Sequence, residues 1–152
     1  MSALTSSFKH PDGMVVEVLA RTLWGEARGQ GEMGLRAVAH VVNNRVRLAY
    51  ENGGAWWGND VIAICRKPYQ FSCWNLNDPN REKLMAVDQR NAEYRLCLKI
   101  AAQVMTGLDT DDITLGGTHY HRFDIAPNWS KGRTPTIQIG DHVFFDLSED
   151  VS

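Results

Sequence analysis

The chain has 152 residues, with 18 acidic side chains against 16 Lys and Arg and a formal charge of −2. That length suits about one domain of roughly 100–200 residues and can bury a core without metal or disulfide staples. The near balance of charge argues against a nucleic-acid binder, and no stretch approaches the roughly 20 apolar residues of a membrane span, so stable membrane association is not expected.

The N-terminal "MSALTSSFKHPDG" lacks the basic start and apolar core of a secretory signal. It reads as the start of a protein made soluble in the cytoplasm, with residues 1–11 a flexible lead-in. Asp12 can cap a helix in which Val15, Val16, Leu19, Leu23 and Ala27 recur at helical spacing. Gly29 and Gly31 are its stop signal. A second helix is expected over Glu32–Leu48, with Leu35, Val38, Ala39, Val42 and Val46 on one face and Asn43, Asn44 and Arg45 interrupting it. "ENGGAWWGN" reads as a loop, and Asp60 starts a short helix through Cys65. "KPYQFSCWNLNDPN" reads as a structured loop able to line a cleft. Asp88–Met105 is the third long helix, with Tyr94, Cys97, Ala101, Val104 and Met105 inward and Gly107 as terminator. The last third changes character: "ITLGGTHYHRF" and "HVFF" are short β-type segments around the turn-rich "DIAPNWSKGRTPT". The expected class is α+β, mainly helical with a small antiparallel sheet toward the C-terminus, in a single domain over 1–152.

Glu26 falls in the last turn of the first helix. That end is the negative pole of the helix dipole and disfavours an ionised carboxylate, which is the setting a general acid for neutral pH requires. Trp24 is placed to desolvate it. Arg28 and Glu32 are near enough to set its field, or Arg28 to neutralise it as a plain ion pair. In "HYH", a strand puts His119 and His121 on one face and Tyr120 on the other. With His142 the two histidines suggest a zinc-dependent hydrolase with Glu26 as base, but there is no HExxH helix and no acid that obviously completes the ligand set. Hydrogen bonding in a cleft wall is the plainer reading, with no metal and no cofactor. Aromatic residues crowd the loops: Trp56, Trp57, Tyr69, Phe71, Trp74, Tyr120 and Trp129. Such planes suit the apolar faces of sugar rings. Trp74 and Trp129, surrounded by turn formers, are the best candidates for the cleft. Cys65, Cys73 and Cys97 read as reduced, partly buried thiols, and nothing local marks Cys73 as an activated nucleophile.

"LARTLWGEARGQGEMGLRAVAHVVNNRV" resembles the opening of the SleB-like cell wall hydrolases, named for the spore cortex-lytic enzyme. "YQFSCWN" is similar to that family's second block, and "GGTHYHR", "PNW" and "IGDHVFF" to its closing blocks. The likeness runs in order over residues 15–145. It implies a lysozyme-like fold and cleavage of peptidoglycan between N-acetylmuramic acid and N-acetylglucosamine, by a lytic transglycosylase or a muramidase. The family's essential acid maps onto Glu26, the hydroxyl residue after Gln70-Phe71 onto Ser72, and the aromatic of the Gly-x-Thr block onto Tyr120. The expected substrate-binding set is Gln70, Phe71, Ser72, Trp74, His119, Tyr120, His121 and Trp129.

Most glycosidases pair two carboxylates. Asp60, Asp78, Asp124 and Asp141 lie in loops, and no local pattern favours any of them. A mechanism with one glutamate as general acid and base fits that gap. A non-catalytic glycan-binding module is the remaining alternative. The partner is the peptidoglycan glycan strand and the chain is expected to be a monomer. A compact chain without a leader suits a phage or prophage endolysin, acting on the wall after release.

Overall fold

The structure is a computed structural model that describes residues 11–152; the expected lead-in over residues 1–10 lies outside them. Helix α1 spans Pro11–Ala27, so Asp12 falls inside it rather than ahead of it as a cap. Leu19 and Leu23 are completely buried and Ala27 nearly so, with Val15 and Val16 partly buried against the same core. Gly29 and Gly31 then take φ of +85° and +78°, the left-handed region that glycine enters without a Cβ clash. The Glu93 carboxylate closes this turn by accepting from Gly29 N–H at 2.7 Å.

Helix α2 spans Gly31–Glu51 and is buried on more than one side. Leu35, Val38, Ala39 and Val42 meet the main core, while Ala37 and Val41 pack with Phe144 of the sheet. Asn44 and Arg45, which interrupt the apolar pattern, are buried rather than solvated, at 6 % and 4 % exposure. Helix α3 spans Val61–Arg66, and Asp60 caps it by accepting from Ala63 N–H at 2.9 Å. The expected loop after it contains a 3-10 turn at Ser72–Trp74.

Two helical boundaries differ from expectation. Helix α4, Pro79–Ala86, begins at the end of the expected loop and runs on through residues for which no element was expected. Its start signals are Asp78, which caps Asn80 N–H, and a proline in the first turn. Helix α5 runs Ala92–Met105, four residues short of the expected start at Asp88. Asn91 takes the cap by accepting from Tyr94 N–H, while Asp88 bonds Arg90 across an exposed turn.

The sheet has three antiparallel strands in the order β1-β3-β2. Strand β1 is His119–Arg122, β2 is Ile137–Ile139 and β3 is His142–Phe145. Strand β2 follows the turn-rich stretch, at residues for which no element was expected. In the register, Tyr120 faces Phe144 and Arg122 faces His142, while His119 faces Phe145. Gln30 ties this sheet to the α1–α2 turn: its amide donates to Asp141 Oδ2 at 2.9 Å and its carbonyl accepts from Asp141 N–H at 3.0 Å.

Trp57, expected in an aromatic loop, is fully buried in the main core and donates its indole N–H to Arg45 O at 3.1 Å. Replacing a buried tryptophan by alanine removes its contacts and leaves a cavity. Trp57→Ala is expected to lose about 3–5 kcal/mol of stability in chemical denaturation, because the site cannot collapse to fill the space.

Candidate active site

Glu26 sits in the last turn of α1, half-buried, at the wall of a cleft of about 660 Å³. Each of its carboxylate oxygens has a donor. Tyr120 Oη donates to Oε1 at 2.5 Å and Cys73 N–H donates to Oε2 at 3.2 Å. These partners come from distant parts of the chain, β1 and the 3-10 turn. Among the described residues no cation forms an ion pair with Glu26. Arg28 turns away, its guanidinium 4.3 Å from the Trp24 ring and donating to Asn80 Oδ1 at 2.7 Å. Trp24 itself lies under Arg28 and is not part of the cleft, so the aromatic beside the acid is Tyr120.

The close fit around Glu26 depends on its neighbour. A Cβ at Gly25 would stand 2.9 Å from Cys73 Cβ and 2.9 Å from a Leu84 methyl. Glycine therefore lets the 3-10 turn approach α1 closely enough for Cys73 N–H to reach the carboxylate.

Both groups touching Glu26 are held protonated. Burial, reinforced by the Glu26 charge, pushes the Tyr120 phenol well above its ordinary value, so it stays a donor. Burial first, and then the same carboxylate, raise the Cys73 thiol as well. That environment works against a cysteine nucleophile, since the thiolate is the reactive form. Burial likewise raises Cys65 and Cys97 to about 12, and all three cysteines are free and buried.

Of the other residues read from sequence, Gln70, Phe71, Ser72, His119, Tyr120 and Trp129 line the same cleft as Glu26. Phe71 is a buried wall, 5.6 Å from the Arg45 guanidinium and 6.3 Å from the Tyr120 ring. Ser72 is exposed at the rim. His119 packs between Trp56 and Trp129. Two expected residues are elsewhere. His121 shares the sheet face of His119 but does not line the cleft; its ring centroid lies 5.7 Å from that of Trp129, edge-on, and 5.3 Å from that of Phe145, with Nδ1 2.6 Å from Arg122 O. Trp74 lines a second cavity, because its indole N–H is drawn to Thr22 Oγ1 at 2.9 Å.

The zinc reading fails on the register. His142 stands opposite Arg122, on the face that carries Tyr120, and so across the sheet from His119 and His121. The three imidazoles cannot converge on one ion.

Sequence reasoning missed four charged lining residues. Arg45, Arg122, Arg133 and Asp150 come from α2, β1, the β1–β2 connection and the C-terminal segment. Asp150 is the other acid of the cleft, and it is engaged with Arg133 at 2.9 Å. Arg45 is buried without a carboxylate partner among the described residues. Its Nε donates to Thr118 O at 2.7 Å and its plane lies 5.2 Å from the Trp57 ring centroid. Burial lowers it to about 10, which leaves it cationic at neutral pH. None of the four stands in a block with catalytic spacing, and their convergence is purely spatial.

Glu26, pinned at a helix end, and Asp150, paired with Arg133, share a cleft walled by aromatic rings with amide and guanidinium donors, a lining whose chemistry can hold a sugar polymer. Residues 29–145 match the family described as Cell Wall Hydrolase, and the chain belongs to that family, whose substrate is peptidoglycan. The match begins three residues after Glu26. The fold is shared with the crystal structure of the catalytic domain of the Bacillus cereus SleB protein, at 24 % identity and TM-score 0.65, covering 86 % of this chain and 88 % of that one. No curated protein shows significant similarity.

Two outcomes follow from the geometry. Gly25→Ala forces the 3-10 turn off α1 and is expected to destabilise the protein by about 1–3 kcal/mol, read by thermal or chemical denaturation. His119 is lowered from 6.5 to about 3, first by burial and then by Arg45 and Arg133. The unfolded chain therefore takes up a proton that the folded chain refuses between those values, so stability falls as pH drops through that window. The denaturation midpoint should decrease from about pH 7 to about pH 4.5, and by less in His119→Gln.

Proposed function

We propose that the protein cleaves the glycosidic bond between N-acetylmuramic acid and N-acetylglucosamine, with Glu26 as general acid and then general base. The observation that carries this reading is the Glu26 carboxylate, open to the cleft and gripped on both oxygens by Tyr120 and Cys73 N–H.

In the first step the Glu26 proton passes to the glycosidic oxygen as the bond from the muramyl anomeric carbon breaks. The sugar passes through an oxocarbenium-like state, which the oxygen of its own acetamido group stabilises. The N-acetylglucosamine end departs as an alcohol. Glu26 is now a carboxylate, and the two donors already in place hold it there without rearrangement. It then removes the proton of the muramyl primary hydroxyl, whose oxygen bonds to the anomeric carbon and closes an anhydro ring. Glu26 ends the cycle protonated and no water is consumed. Asp150, the other acid of the cleft, is bound to Arg133, which favours this one-carboxylate route over a pair of acids. Trp129 and His119 supply the apolar wall for a sugar face, and Gln70, Ser72 and Arg45 supply polar contacts.

Glu26→Gln keeps the shape and removes the proton. It is expected to lose at least about a hundredfold in fragment release from peptidoglycan while still sedimenting with cell walls. Undiminished release would overturn the role of Glu26. Mass spectrometry of the wild-type digest should find anhydro-muramyl ends; reducing ends formed with water would instead mean a muramidase outcome. A pure glycan-binding module would bind walls and release nothing even as wild type.

A further inference from the structure

A second cavity of about 480 Å³ adjoins the first, and Tyr69 lines both. Its wall is built around Trp74, whose ring is fixed by the hydrogen bond to the buried Thr22 hydroxyl. The Arg66 guanidinium lies 5.1 Å from that ring centroid. A guanidinium held over an indole face is pre-organised, and its N–H groups can still meet a bidentate acceptor. Arg81 is the second cation of the cavity and no carboxylate lines it. Among the described residues neither arginine forms an ion pair. The exposed side chain of Leu76 adds apolar surface, and Asn75 and Asn77 add amides.

Tyr69, the shared wall, is strained. Its φ is +66°, its N–H donates to Asn75 Oδ1 at 3.2 Å, and its side chain is 83 % exposed. A bulky residue in the left-handed region is costly, and such outliers cluster where a ligand is clamped. The cost here maintains an aromatic at the junction of two cavities rather than in the core.

We propose that the second cavity binds the peptide stem of peptidoglycan, an acidic peptide, through Arg66 and Arg81, while the glycan from which the stem branches occupies the first cavity. The charge fits: a wall stem carries free carboxylates, and this cavity offers two cations with no acid of its own. Tyr69 packs where the stem leaves the sugar. This assignment rests on the first cavity being the glycan site.

The test compares wild type with the double variant Arg66→Gln, Arg81→Gln on glycan strands that carry their peptides and on strands stripped by an amidase. Arg66 is exposed and Arg81 partly so, and matched thermal midpoints verify folding. The variant should lose roughly fivefold or more in kcat/KM on peptide-bearing strands and nothing on stripped ones. Equal loss on both substrates, or loss on neither, overturns the proposal. A wild-type enzyme that cleaves neither substrate instead overturns the glycosidase reading of Glu26. The second arm is then independent of catalysis. A free stem peptide should shift the Trp74 indole resonance of wild type in NMR titration, and its fully amidated form should not. An equal shift with inorganic phosphate at matched ionic strength would mean a general anion site and would also overturn the proposal.

Discussion

Two adjacent side chains of α2 decide where the sheet sits. Asn44 donates to Gly117 O at 3.0 Å and Arg45 to Thr118 O at 2.7 Å. Those carbonyls immediately precede β1, so the strand is registered against the helix before it begins to pair. A buried amide or guanidinium without such acceptors would cost about 1–3 kcal/mol or more, which makes this docking specific where apolar packing alone would allow sliding. Asp112 shapes the loop that presents the carbonyls, accepting from Thr114 N–H, the Thr114 hydroxyl, Gly116 N–H and Asn44. Burial works to raise its carboxyl, but those hydrogen bonds together outweigh it and hold the group below its ordinary value.

The chemistry of the cleft follows from that docking. Tyr120 is two residues beyond Thr118, and its position on β1 is what delivers the phenol to Glu26. Strand β3 is clamped in turn, since Thr118 N–H donates to Phe145 O and Leu147 N–H to the Thr118 hydroxyl, both at 2.8 Å. The C-terminal segment with Asp150 is thereby brought to the cleft rim. At neutral pH the Tyr120 phenol and the Cys73 thiol are locked with their protons and His119 is locked without one. In the proposed reaction Glu26 is the group that exchanges a proton with the sugar.

Legibility from sequence tracks the range of the interaction. The helical stripe from Val15 to Ala27 and that from Leu35 to Val46 are local periodicities, and the helices stand within a few residues of where the spacing puts them. Helix α4 was passed over because its few apolar positions make no clear stripe, although the Asp78-Pro79 start is visible. The histidines show the opposite limit. Alternation along one strand separates His119 and His121 from Tyr120, but the side on which His142 falls depends on the pairing of β1 with β3. Trp57 and Trp74 sit in similar polar, turn-rich surroundings, yet one is core and the other a cavity wall. Their indole N–H groups decide it, one bound to Arg45 O and the other to Thr22.

By itself the sequence determined a helical α+β chain, an acid at the end of the first helix, and ordered blocks shared with a wall-hydrolase family. These are properties of spacing and of residue type, which act within a few turns of the backbone. Only the tertiary structure decided which groups meet that acid. Tyr120 lies 94 residues from Glu26 and Cys73 lies 47, and no local pattern encodes contact across such separations. The same holds for the division of the surface into two cavities, because it arises where α1, α3 and the 3-10 turn pack together and Tyr69 stands between them.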